Sequence, residues 1–212
     1  MLENILHILK IKENKKIIID LDDILTTENY KLQNIKPADK VSEEELLETA
    51  AYAESNSEHN IAKVIIDIYG KVNKNFACEF LEESGIGVKA KYNFEKVYAG
   101  NRKLLYKNNI EFTQIQTEDV PIYIAKENKY LGYILLKIQI DENCMEKVNK
   151  IKDNKLDIIL ISGYSKSVME NIASKFNIDE YYYSLDGNEK KNKIDELVSK
   201  YDAIVYNKKE GI

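Results

Sequence analysis

Three carboxylates stand within four residues at Asp20, Asp22 and Asp23, directly after the apolar run Ile17-Ile18-Ile19. A carboxylate in such a place can attack a phosphoryl group and carry it covalently, and a second one two residues on can act as acid or base, or help to hold Mg²⁺. Asp20 is the candidate nucleophile and Asp22 its companion, and the same two side chains are the candidate metal ligands. The pattern equally suits a strand that ends in a solvated acidic turn, and spacing alone leaves both readings open.

The element that must position these acids is the stretch from Lys16 onward. Its unbroken β-branched run predicts a parallel strand covered on both faces, since such a strand needs no polar alternation. The acids then fall at the carboxyl end, where open α/β sheets place their chemistry. Ahead of the strand, residues 3 to 10 predict a short amphipathic helix in which His7 is a surface or packing residue. Behind it, a polar connector with Pro37 leads to Ser42-Glu43-Glu44-Glu45, a capping box that starts a helix burying Leu46, Leu47, Ala50 and Ala51. Ser57 is expected to open a second helix, with Ile61, Val64, Ile65 and Ile68 at i, i+3, i+4 and i+7.

Residues 76 to 136 change character to short β-branched segments broken by Gly85-Ile86-Gly87, Gly100-Asn101 and Glu127-Asn128-Lys129, which predicts antiparallel strands. From Asp141 onward helices and buried strands alternate, which implies a parallel sheet. The expected architecture is α/β: a doubly wound parallel-sheet core carrying an inserted α+β domain built on an antiparallel sheet. The boundaries read from the pattern are 1–41 and 137–212 for the core and 42–136 for the insertion.

With 212 residues and 44% hydrophobic content the chain can bury a real core. The net charge of -5 argues against nucleic acid as a partner, because phosphates call for a basic surface. No apolar run reaches the roughly 18 residues of a membrane span, and the start lacks the basic-then-apolar pattern of a signal peptide, so a cytoplasmic protein without direct membrane insertion is expected. Cys78 and Cys144 form no metal-ligand pair and are each expected to be small buried apolar side chains.

Several motifs fall in one order that resembles the cytoplasmic phosphorylation and nucleotide-binding domains of P-type ATPases, heavy-metal transporters above all, within the haloacid-dehalogenase-like superfamily. Ser57-Glu58-His59-Asn60-Ile61-Ala62-Lys63 resembles the family's S-E-H-P-L-A-K. Gly85-Ile86-Gly87-Val88 resembles its G-x-G-[IV], and Gly100-Asn101-Arg102 its G-N-R. The resemblance implies that the insertion binds ATP through Glu54, His59, Gly85, Gly87, Gly100 and Asn101. Those residue types suit such a ligand, since an imidazole can stack on adenine, a carboxylate can accept from its exocyclic amine, and glycines let backbone approach closely.

The core departs further from the family. Asp20-Leu21-Asp22-Asp23-Ile24-Leu25-Thr26 stands where the family has D-K-T-G-T-L-T, keeping the nucleophile and adding a D-x-D like that of superfamily phosphatases. Ser162-Gly163-Tyr164 replaces T-G-D, and Gly187-Asn188-Glu189-Lys190 replaces P-E-D-K, so that Ser162 and Lys190 remain to hold a phosphoryl group. Ile138 to Asp141 matches neither residue of D-x-x-R. The metal-binding G-D-G-x-N-D has become Tyr206-Asn207-Lys208-Lys209, with Asn207 as a weak substitute ligand. The resulting expectation is an ATP-binding P-type-ATPase-like protein with impaired catalysis and weak use of Mg²⁺, unable to transport ions by itself. Two alternatives stand beside it: an active phosphatase with Asp20 as nucleophile and Asp22 as acid and base, and a docking or regulatory partner of a membrane transporter. A second copy of the chain is the other protein partner left open.

Overall fold

The computed structural model describes residues 16 to 206, so the expectations for residues 3 to 10, His7 and Asn207 lie outside it. Along the chain the strands are β1 (Lys16–Asp20), β2 (Tyr30–Pro37), β3 (Ala77–Glu83), β4 (Gly87–Tyr92), β5 (Glu95–Gly100), β6 (Val120–Lys126), β7 (Lys129–Ile138), β8 (Asp157–Ile161), β9 (Glu180–Tyr182) and β10 (Ile204–Tyr206). They form two sheets in two compact units, Met1–Thr26 with Ile140–Ile212, and Thr27–Gln139.

In the first unit the strand order is β10-β1-β8-β9, and every neighbouring pair runs parallel. Ile17, Ile18 and Ile19 are at most 1% exposed, which is why β1 can dispense with polar alternation. Helices Glu142–Asp153, Lys166–Phe176 and Gly187–Tyr201 separate these strands in sequence, capped by Asp141, Ser165 and Asp186. The chain steps from β1 to β8 to β9 and then returns to the opposite side of β1. The direction of winding therefore reverses beside β1, the place where such sheets open a crevice at their carboxyl ends.

In the second unit six strands run antiparallel in the order β2-β7-β6-β5-β4-β3. Ser42 caps helix Glu43–Glu54 by accepting from the Glu45 N–H, as its sequence predicts, and that helix packs on β4, β5 and β6. A second helix, Asn60–Tyr69, buries Ile61, Ala62 and Ile65. Its cap is His59 and not Ser57. The Ser57 hydroxyl instead accepts from the His59 N–H at 3.1 Å, a local turn that delays the helix by two residues.

The segment whose sequence suggests a polar connector contains β2, antiparallel to β7 from Tyr30 opposite Ile138 to Pro37 opposite Gly132. An edge strand is held by backbone pairing, and most of β2 faces solvent, so it shows no apolar alternation. The units consequently divide after Thr26 and after Gln139, where the sequence pattern suggested 41 and 136. A one-and-a-half-turn helix, Arg102–Lys107, is a further element that the pattern does not predict. Cys144 is buried as expected, whereas Cys78 on β3 is exposed, because β3 is the other edge of the sheet.

Candidate functional site

The carboxyl end of β1 runs straight into one helical turn, Leu21–Ile24, which Asp20 caps by accepting from the Asp22 N–H at 3.2 Å. Lys190 reaches the same place from the first turn of the Asp186-capped helix, its own N–H bound to the Asp186 carbonyl. Its ammonium lies 2.5 Å from Asp20 Oδ2 and 3.6 Å from Asp22 Oδ2, with only 7% of the residue exposed. Ser162 follows directly after Ile161, the β8 residue paired with Asp20, so it shares this end of the sheet. Its hydroxyl accepts from the Tyr164 N–H at 3.2 Å. Asp20, Asp22, Ser162 and Lys190 thus fall at one end of one sheet.

Burial pushes the Asp20 carboxyl upward, and the neighbouring charge of Asp22 pushes it the same way; Lys190 offsets only part of this. Burial acts to lower Lys190, but attraction to Asp20 and Asp22 outweighs it and the ammonium is held more firmly than usual. The residue that sequence reasoning saw only as a loss is Tyr164. Its hydroxyl donates to Asp22 Oδ1 at 3.1 Å, so the position where the family carries an acid now supplies a donor to the acid this chain adds.

A divalent cation is what the resemblance implies beside these acids, and Mg²⁺ asks for about six oxygens in octahedral array. Among the described residues no group of three or more His, Cys, Asp or Glu could hold a metal ion. All four carboxylate oxygens of Asp20 and Asp22 are moreover engaged, by the Asp22 N–H, the Tyr164 hydroxyl and the Lys190 ammonium. The described residues do not offer a preformed site that fits Mg²⁺.

In the second unit Glu54 ends the Ser42-capped helix with 5% of its surface exposed. Its carboxyl makes no hydrogen bond among the described residues. Burial lifts it to about 8, with His59 opposing the rise and Glu82 adding to it. His59 Nδ1 accepts from the Ile61 N–H at 3.2 Å and so caps the second helix. Ser57 ties this corner to β3 by donating to Glu82 at 3.2 Å, and the turn with Gly85 follows β3 directly.

Gly87 on β4 is paired with Gly100 on β5, and a Cβ on either would meet the facing backbone at 2.4 Å. The two strands can approach this closely only without side chains there. Asn101 is equally committed: its amide donates to the Gly85 carbonyl at 2.7 Å while its oxygen accepts from the Lys103 N–H at 2.9 Å. The glycine turn and the start of helix Arg102–Lys107 are locked together by that one side chain.

Residues 15–206 match the family described as haloacid dehalogenase-like hydrolase. The chain belongs to the haloacid dehalogenase-like hydrolases. Within them it is homologous to the cytoplasmic domains of heavy-metal P-type ATPases. The cadmium, zinc and cobalt-transporting ATPase of Bacillus subtilis (strain 168) is 31% identical over 188 residues, 88% of this chain and 27% of the relative. The zinc-transporting ATPase of Synechocystis sp. is 27% identical over 186 residues, 87% of this chain and 26% of the relative. This haloacid dehalogenase-like chain therefore spans about a quarter of the length of those relatives. Its fold matches the catalytic domain of the CPx-ATPase CopB-B with a TM-score of 0.71, at 22% identity, over 94% of this chain and 73% of that one. Among the described residues no helix is long and apolar enough to cross a membrane.

Proposed function

We propose that the chain binds adenine nucleotide through the unit Thr27–Gln139 and is at most a weak catalyst at Asp20. The observation that carries this reading is the Glu54 carboxyl, on a residue only 5% exposed, where burial disfavours its charged form and His59 acts on it electrostatically. A ligand that pairs with this carboxyl is left with a buried polar group unpaired when the carboxyl is removed, a cost of about 1–3 kcal/mol. Adenine offers an amine donor beside a ring acceptor, and a neutral carboxyl can meet both at once. The imidazole of His59 gives a flat ring against which a base can stack. Gly85, Gly87, Gly100 and Asn101 enter as the tightly packed backbone beside this corner, contributing close approach and amide contacts to the ligand. ATP is the expected ligand, and its binding here should not depend on Asp20.

Calorimetric titration of the whole chain with ATP in chelated buffer tests the proposal. Glu54→Ala and His59→Ala should each weaken binding roughly 5- to 100-fold, the equivalent of losing one buried polar partner. Asp20→Asn should leave it unchanged. Affinity indifferent to both Ala variants would sink the reading.

A second reading, phosphatase chemistry, is favoured by one observation: Asp20, Asp22 and Lys190 meet in a single cluster. Asp20 would attack the phosphorus, Asp22 would donate a proton to the leaving oxygen, and Lys190 and Ser162 would hold the phosphoryl group. Hydrolysis of a generic phosphoester that vanishes in both Asp20→Asn and Asp22→Asn would support it. Ion movement, which the names of the relatives describe, is not proposed for this chain alone.

A further inference from the structure

Lys190 sits between two carboxylates in the position of a bridging cation, held there by a helix start in which Asp186 and Glu189 cap each other's backbone. The two outer oxygens each accept one hydrogen bond from the protein as well, Asp20 Oδ1 from the Asp22 N–H and Asp22 Oδ1 from the Tyr164 hydroxyl. An incoming divalent ion would have to compete with the protein donors on both acids and settle within a few ångströms of a buried ammonium, where like charges repel strongly. We infer that Lys190 is the resident cation of the Asp20–Asp22 pair, so that this cluster holds its charge without Mg²⁺ and excludes it. The inference concerns the unit with the parallel sheet and stands whether or not nucleotide binds at Glu54.

The decisive measurement is metal binding by the full chain without nucleotide. Wild-type protein should melt within about 1 °C of its metal-free temperature in roughly 10 mM MgCl₂, ionic strength being matched with NaCl, whereas a site of about 1 mM affinity would shift it visibly. Lys190→Met removes the ammonium and leaves both acids without it. That variant should melt lower in chelated buffer and regain about 3–6 °C on adding Mg²⁺. A Lys190→Met protein indifferent to Mg²⁺ would overturn the inference, as would a wild-type Mg²⁺ shift that Asp20→Asn abolishes. Should Lys190→Met not fold, Mn²⁺ broadening of wild-type amide signals decides. Selective loss of the signals from Ile19 to Leu25 at sub-millimolar Mn²⁺ would overturn the inference, and uniform spectra would support it.

Discussion

Burial, opposed by His59 and reinforced by Glu82, lifts the Glu54 carboxyl from an ordinary 4.5 to about 8. Between those values the folded chain keeps a proton that the unfolded chain releases. This group therefore makes stability fall as pH rises from about 4.5 to about 8 and adds no further slope above. Glu54→Gln removes the titration while keeping one donor and one acceptor. It should melt above wild type at pH 8 and level with it near pH 4.5; equal melting temperatures at pH 8 would contradict this. The same substitution should preserve ATP affinity, and wild-type affinity should decline as pH rises through about 8, because an ionised carboxylate can only accept. His59 needs a subtler variant, since its ring also caps a helix. Asn is a good cap, so His59→Asn should hold the melting temperature while still losing the stacking contribution to ATP binding, whereas His59→Ala should also lose about 0.5–2 kcal/mol of stability. Glu54 and His59 are visible in the sequence because they sit in a short contiguous motif. Tyr164 is not: its bond to Asp22 spans 142 positions, and only the folded sheet brings the two together.

Elements with a strong local signal are legible. The β-branched run of β1, the Ser42 cap and the helix and strand alternation after Asp141 each advertise themselves through side-chain pattern or cap chemistry. β2 is not legible, because an edge strand draws its stability from backbone pairing and carries a polar, mostly exposed sequence. The helix Arg102–Lys107 escapes for the related reason that one and a half turns are too short for a periodic signal. Its cap, Asn101, reads in the sequence as a ligand contact, though the residue's amide serves the glycine turn and the helix start whatever else it touches. At this scale the β4–β5 pair makes a sharp prediction. Gly100→Ala would push a Cβ into the Ile86 carbonyl and the Gly87 Cα, at 2.4 and 2.8 Å. Chemical denaturation should show a loss of about 2–4 kcal/mol, in the range of severe backbone or overpacking changes. A loss below about 0.5 kcal/mol would mean that the strands can part without cost. Asp186→Ala should cost about 1 kcal/mol through its helix cap.

Fold class and the presence of an insertion can be read from the whole chain, while the limits of the insertion cannot, because they depend on where β2 pairs. That pairing yields a prediction: a fragment of residues 27–139 should give a dispersed amide spectrum and a cooperative melt, and one of residues 42–136, which strips β2 from β7, should melt at least several degrees lower. Equal melting would remove β2 from the stabilising elements. One further consequence follows from β1 lying between β8 and β10. The unit Thr27–Gln139 is continuous, so every neighbour it needs emerges from the ribosome in one stretch. β1 is made before it and then waits, three isoleucines uncovered, until residues 157 to 206 have followed. Its acids wait too, since Lys190 joins Asp20 across 170 positions. Closing so long a loop is slow relative to local pairing. The oldest segment of the described chain is thus among the last to find its partners during synthesis, which leaves its apolar run open to a chaperone or to another stalled chain in the interval.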